Sequence, residues 1–454
     1  MKIAVIGAGP CGLVATKTLA QAGLDVVCYE MSDTVGGHWK IDNLSGKSAA
    51  YESLTTNTNK QMSRLSDYEM PAEWPDLPTH AHLHRWWCDY VRRFALDDLL
   101  RLECEVHTLE RVKGVEAVAE GGWRVGYSHK AANASDEFDA VILASGNYWL
   151  PKQPDILEAF TGEIIHAREY RSPERPLHTR GRRVLVVGTG NTGCELALEI
   201  KAAGAEEVYL SARSGNWIFP KYIDTPEGPQ HIAQKAPVSH PLDPVPWIFA
   251  ALPESIRDRV FNAIGKLVIK KQFGEYNRRL ERAGLLPPPD NPLAKRPTVA
   301  DGLAEKLEAG ELRAVGGMEQ VDGRRVTFKD GLVNEFDVVI CATGYGLSYP
   351  YLDQRYLDTS GDDMLLYRGL MHPEHHSLFV VGVSRPTGGF WPIAEAQSQF
   401  IAKLLAGTYR LPVQEEIEKH TSPVMNRDAF NPALYGLSLR CELQRGARRI
   451  SDNQ

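Results

Sequence analysis

Six glycines in two repeated sets carry the plainest chemical meaning in this chain. Gly7, Gly9 and Gly12 lie in GAGPCG, and Gly188, Gly190 and Gly193 lie in GTGNTG. A G-x-G-x-x-G loop between a strand and a helix brings a pyrophosphate to the helix N-terminus, where free N–H groups and the dipole favour anions. Alone the pattern is weak, but each copy here has its full context. Lys2 to Ile6 is an apolar run ending at Gly7, Leu13 to Ala22 has helical character, and Leu24 to Tyr29 reads as a strand closed by Glu30. An acid about 20 residues past the glycines suits the ribose hydroxyls of FAD or NAD. In the second copy the strand is Arg183 to Val187, the helix Cys194 to Ala203 and the next strand Glu207 to Ser211. The edge there reads Ser211-Ala212-Arg213, and an arginine suits the 2′-phosphate of NADP.

Two further apolar strands end in matching turns, FDAVILASG (138–146) and FDVVICATG (336–344). Such turns let the chain pass close to a dinucleotide or leave one domain for another. Their repetition predicts an α/β protein with two Rossmann-like domains, the first of them discontinuous. The expected divisions are 1–165 and 336–454 for the first domain and 166–335 for the second. Residues 215–300 are rich in Pro, Trp and Phe, with an amphipathic stretch from Val260 to Phe273. A membrane-contact helix is one reading of that insertion; a helical subdomain covering the cofactor cleft is the preferred one.

Composition narrows the class. A chain of 454 residues needs more than one core, and 43% hydrophobic with 24% charged residues is ordinary for a globular enzyme. A net charge of −7 without a basic stripe argues against a nucleic-acid partner. The seven cysteines have no C-x-x-C pairing and no metal-ligand spacing with histidine, so a reducing, cytoplasmic setting and no metal are expected. No segment has the apolar length of a membrane span.

Between the glycine loops lies FTGEIIHAREY, with Phe160, Gly162, His166 and Tyr170 in the pattern F-x-G-x-x-x-H-x-x-x-Y. Flanked by two such loops, it resembles the signature of the flavin-containing monooxygenases. GGHW (Gly36 to Trp39), YESLTTNTNK (Tyr51 to Lys60), SDYEMP (66–71), CATGY (341–345) and AEAQ (394–397) resemble other segments of that family. The resemblance extends along nearly the whole chain. Departures are Ser145 where threonine is commoner, and Ser214 after Arg213 where many relatives have a second basic residue, which puts strict NADPH preference in doubt. No hydrophobic C-terminal tail is seen, as in the soluble bacterial-type members.

The resemblance implies FAD and NADPH as cofactors, with the first domain binding FAD and the second NADPH. It implies that NADPH reduces the flavin, that oxygen adds to it as a C4a-hydroperoxide, and that an amine nitrogen or a sulfide sulfur takes the distal oxygen. Asn57 is then the expected catalytic group, a neutral amide able to hold geometry across pH; a loop-capping asparagine is the alternative. FAD contacts are expected from Gly7, Gly9, Pro10, Cys11, Gly12, Glu30, Gly37, Trp39, Asn57, Lys60, Ser145, Thr343, Gly344, Tyr345 and Gln397. NADPH contacts are expected from Gly188, Gly190, Asn191, Thr192, Gly193, Ser211 and Arg213. Lys60 has simple exposure as its alternative, and Gln397 a place on a helix surface. His166 is expected to position the nucleotide or serve structurally, without proton transfer, while Phe160 and Tyr170 pack and Gly162 allows close approach. The rival readings are a Baeyer–Villiger monooxygenase acting on ketones, a disulfide reductase lacking its dithiol, and a non-catalytic flavin sensor. Relatives are often homodimers.

Overall fold

The two apolar runs ahead of the glycine loops become the middle strands of two separate sheets. A computed structural model of the chain describes residues 1–112, 121–223, 230–231, 240–359, 364–384, 386–424 and 430–451. The first sheet runs in the order Leu378–Val380, Ala140–Leu143, Lys2–Ile6, Asp25–Tyr29, Leu100–Arg101. The second runs Arg313–Val315, Glu207–Ser211, Arg183–Val187, Val338–Cys341, Glu163–His166. All pairings within both are parallel. A parallel sheet needs cover on both faces, which is why its strands read as unbroken apolar runs. Ile3, Ala4, Val5, Val184, Leu185 and Val186 are accordingly fully buried. Helices Pro10–Gln21 and Asn191–Ala202 begin within the loops, directly after Gly9 and Gly190. Each starts three residues ahead of its expected first residue, Leu13 or Cys194, because Gly12 and Gly193 sit inside the first turn.

The repeated Phe-Asp has a shared cause. Phe138 and Phe336 are buried, each in the core on one face of its sheet. Asp139 Oδ2 accepts from the Lys2 backbone N–H at 2.7 Å, and Asp337 Oδ2 accepts from the Arg183 N–H at 2.9 Å. Each aspartate thus ties the incoming strand to the start of the central one. Past the two turns, Leu150–Pro151 and Tyr345–Gly346 pair with each other as an antiparallel ribbon. The chain therefore crosses between the sheets twice, side by side.

This topology corrects the expected divisions. Glu163–His166 and Val338–Cys341 both belong to the second sheet, so a cut at 165/166 splits a strand and a cut at 335/336 removes one. The chain changes sheets at the glycine turn after a strand, not before it. In the insertion, Ile218–Phe219 pairs with Thr298–Val299, and a long helix spans Glu254–Arg282. Phe273 stacks on Phe219 at 4.2 Å, and the Asn277 side chain bonds both the N–H and the C=O of Ile218. Residues 224–229 and 232–239 of the insertion lie outside the described residues. Among the described residues no helix is long and apolar enough to cross a membrane.

The segment joining the loops packs as a brace. Phe160 and Tyr170 are buried, and a Cβ on Gly162 would lie 2.6 Å from the Phe160 ring and 2.7 Å from the Asp337 carbonyl. Gly162→Ala should therefore cost about 1–3 kcal/mol through overpacking. A chemical-denaturation midpoint equal to that of the unchanged chain would refute this account of the glycine.

Candidate functional site

The glycines of each loop are needed for two different reasons. Gly7 and Gly188 have φ of +104° and +117°, a region that side chains avoid. A Cβ on Gly12 would lie 1.8 Å from the Gly7 carbonyl oxygen, and one on Gly193 would lie 1.9 Å from that of Gly188. These four let each helix close onto its strand. Gly9 and Gly190 differ, with ordinary φ of −68° and −76°. The nearest atom to a Cβ on Gly9 is 3.7 Å away, and one on Gly190 would meet nothing within 4 Å. The protein itself does not forbid side chains there, and the bare backbone leaves room for a ligand to lie against it. Neither helix start is capped by a side chain, leaving its first N–H groups for an anion. Both loops fit a dinucleotide.

A cavity of about 350 Å³ gathers residues from both sheets. Gly7, Gly9, Pro10, Cys11, Glu30, Gly37, Trp39, Asn57, Ser145 and Tyr345 line it from the first loop's side, and Asn191 and Thr192 from the second's. Glu30 is buried; its oxygens accept from the Ala8 and Ser32 N–H groups, both at 2.8 Å. It therefore anchors the glycine loop, and each carboxylate oxygen keeps a lone pair for a ribose hydroxyl. Burial raises its carboxyl above the usual range, against those backbone hydrogen bonds. Ser145 Oγ is hydrogen-bonded to the Tyr351 hydroxyl at 2.7 Å. Asn191 accepts from the Val299 N–H at 2.7 Å, which joins the helix start to the insertion.

Asn57 sits on a loop fixed on both sides. Thr56 N–H donates to the Pro78 carbonyl, and Asn59 Oδ1 accepts from Met62 N–H to cap the helix Lys60–Ser63. Asn57 Oδ1 and Trp39 Nε1 are buried without a hydrogen-bond partner in the protein. Both residues line the cavity, and orphaned polar atoms of this kind suit a bound polar ligand.

Several expected contacts are corrected. Lys60 Nζ donates to the carbonyls of Pro71, Ala72 and Trp74, so it staples the loop from outside and does not line the cavity. Gln397 is buried, not on a helix surface; it accepts from Gly382 N–H and donates to the Gly369 carbonyl and the Tyr435 hydroxyl. With its amide consumed, it acts on the site only by holding Gly382, which lines the cavity. Ser211 donates to the Gly316 carbonyl at 2.8 Å, turned into the sheet edge. Thr343 donates to the Lys152 carbonyl, and Lys152 N–H donates back to the Gly344 carbonyl, so these two secure the crossing ribbon. His166 is buried, bonding the Gly344 carbonyl through Nε2 and the Arg168 N–H through Nδ1, with Tyr345 edge-on at 4.9 Å. Burial pulls its imidazole below the ordinary range. It ties the linker to the turn, one ring nitrogen bonding a carbonyl and the other an N–H. Arg213 is exposed at the end of its strand.

Other residues went unnoticed in the sequence. His38, Tyr148, Trp149, Glu195, Arg296, Phe390 and Trp391 all line the cavity. Trp391 meets Trp39 at 6.0 Å, and Arg296 lies over the Phe390 ring at 4.6 Å. Arg296 is also the one residue of the insertion, among those described, that reaches the cavity; residues 224–229 and 232–239 of the expected cover lie outside the described residues. Lys295 Nζ donates to Ser214 Oγ at 2.7 Å, placing a second cation beside Arg213 that the Arg213-Ser214 dipeptide concealed. All seven cysteines are free. Burial pushes the Cys11 thiol up to about 12, so it is no nucleophile at neutral pH, against a dithiol mechanism.

The flavin-binding monooxygenase-like family matches residues 1–431. Dimethylaniline monooxygenase (N-oxide-forming) 2 of Macaca mulatta is 28% identical over 98% of this chain and 80% of its own length. Flavin-containing monooxygenase 3 of Rattus norvegicus is 30% identical over 90% of this chain and 75% of its own length. Among solved structures, S-allyl-L-cysteine S-oxygenase from Allium sativum superimposes with a TM-score of 0.64 at 20% identity, covering 92% of this chain and 80% of that one. Cyclohexanone monooxygenase from Rhodococcus sp. Phi1 bound to NADP+ gives 0.68 at 20% identity, covering 98% of each chain.

Two expectations follow from this geometry. Gly193→Ala should disrupt folding, whereas Gly190→Ala should stay within about 1 kcal/mol of the unchanged chain, the scale of a helix-cap change, yet lose NADP+ binding by calorimetry. Equal nucleotide affinity in Gly190→Ala would sink the ligand-cradle reading. His38 packs between Trp39 and Tyr148, and burial pulls its imidazole down to about 4. Unfolded, it titrates near about 6.5, so below that pH the unfolded chain binds the proton first. Stability should be full above pH ~6.5 and drain toward pH ~4. The fall in thermal midpoint over this window should be shallower in His38→Gln; identical slopes would count against it.

Proposed function

Because the chain belongs to the flavin-binding monooxygenase-like family over nearly its whole length, we propose that it places one atom of O2 on a soft nucleophile, an amine nitrogen or a sulfide sulfur. FAD and NADPH are its cofactors, and the chain is a monooxygenase. FAD, when bound, would supply the redox chemistry that activates O2 at the expense of NADPH; the protein binds, orients and keeps water out.

The residues support a division of labour. The first loop with Glu30 holds FAD: the carboxylate meets neutral ribose hydroxyls, and the helix start meets the pyrophosphate. The second loop holds NADPH, with Arg213, Lys295 and the Ser214 hydroxyl around the 2′-phosphate. The observation that carries the reading is Asn57. Asn57 lines the cavity shared by both loops, its amide oxygen is buried with no protein partner, and its segment is clamped before and after it. A neutral amide there orients a nicotinamide or the reacting oxygen without titrating, and no protein nucleophile is needed. The relatives named for N-oxide formation and the S-oxygenase fold neighbour agree with a nitrogen or sulfur acceptor.

A second reading has one observation behind it. Arg296 sets a fixed positive charge at the aromatic wall of Phe390. Oxygen insertion into a ketone builds negative charge on oxygen, and a nearby cation favours that course.

The purified protein should be yellow with bound FAD and should convert a thioether to its sulfoxide in an NADPH- and O2-dependent way. Asn57→Ala should lower product formation by about 10²-fold, the scale of losing one preorganised polar contact. Colourless protein that cannot be reconstituted with FAD would end the proposal. Offered a cyclic ketone instead, the protein should give less product; if lactone dominates and Arg296→Met abolishes it, the second reading replaces the first. Lys295→Met should raise KM for NADPH and leave KM for NADH unchanged, and equal shifts for both nucleotides would remove Lys295 from the phosphate site.

A further inference from the structure

The loop carrying Asn57 belongs by sequence to the first unit, yet the second unit grips its beginning. Tyr51 is buried, and its hydroxyl donates to Glu195 Oε2 on helix Asn191–Ala202. Lys221 Nζ lies 2.8 Å from the other oxygen of Glu195, both side chains being mostly covered. The same ammonium donates to Thr55 Oγ1 at 3.3 Å. Tyr51, Glu195, Lys221 and Thr55 thus close a ring of polar contacts that starts and ends on one loop. Burial first, and then the charge of Glu195, holds the Tyr51 phenol protonated, so its direction as donor is fixed. Tyr170 braces it edge-on at 6.1 Å, and Glu52 N–H donates to the Arg171 carbonyl at 2.8 Å.

Glu195 is an odd choice for this place. It lines the cavity about one turn from a helix start shaped for phosphate, where a carboxylate would repel the ligand. Lys221 meets that charge, and the carboxylate is spent on holding protein. Resting on the nucleotide reading of the second loop, we propose that Glu195 is a positioning residue. Through Tyr51 and Lys221 it ties the Asn57 loop to the helix that receives NADP(H), so that filling the nucleotide site tightens residues 51–60.

The test uses the full chain loaded with FAD and follows amide hydrogen exchange in residues 51–60 with and without saturating NADP+. In the unchanged protein NADP+ should slow exchange there by about threefold or more, the loop being a locally opening segment. Glu195→Gln, Tyr51→Phe and Lys221→Met should each lose most of that slowing while still binding NADP+ by calorimetry. Tyr51→Phe combined with Lys221→Met should lose little more than the stronger single change, as expected of partners in one network. Peroxide released per NADPH consumed should rise in the same variants. Slowing as large in Glu195→Gln and Tyr51→Phe as in the unchanged protein would overturn the tie alone. Failure of the unchanged protein to bind NADP+ would overturn the nucleotide reading as well.

Discussion

Everything in this molecule rests on a contact that has no room for a methyl group. The Gly12 Cα packs against the Gly7 carbonyl, and Gly193 repeats the contact against Gly188. Only that closeness lets the helix turn back over its strand with its first N–H groups facing the cavity. From it follow the place of Glu30, which bonds the loop at Ala8, and the place of Asn191, which bonds the insertion at Val299. A helix start aimed elsewhere would offer no anion site at either loop.

Much of this was legible in the chain because it is local. The central strands Lys2–Ile6 and Arg183–Val187 match their apolar runs residue for residue, since burial on both faces leaves no ambiguity of period. The glycines were legible because their demand is steric and falls within a few residues. Asn57 was legible only through the resemblance; its clamped loop and orphaned oxygen depend on residues 76–78, which no spacing reveals.

What escaped the sequence was long-range. Lys60 and Gln397 have side chains that could serve a flavin, but a single residue type does not say which way it points, and both were taken up by backbone carbonyls and N–H groups. Lys295 is distant from Ser214 in the chain yet hydrogen-bonded to it, so a cation that seemed missing is supplied by another segment. Val338–Cys341 looked like the start of a return to the first sheet because its turn matches the one after Ala140–Leu143. The likeness is real, but it marks an equivalent position within each sheet.

The paired crossing at Leu150–Pro151 and Tyr345–Gly346 has a bearing on how the protein is made. Every strand of the second sheet lies between Glu163 and Cys341, whereas the first sheet waits for Leu378–Val380. As the chain emerges from the ribosome, the inner unit can finish its hydrogen-bonded core while the outer one still lacks an edge. Residues 1–143 must persist half-built, with the apolar strand Ala140–Leu143 unpaired on one side, until the inner unit has folded and the last strand arrives to seal them.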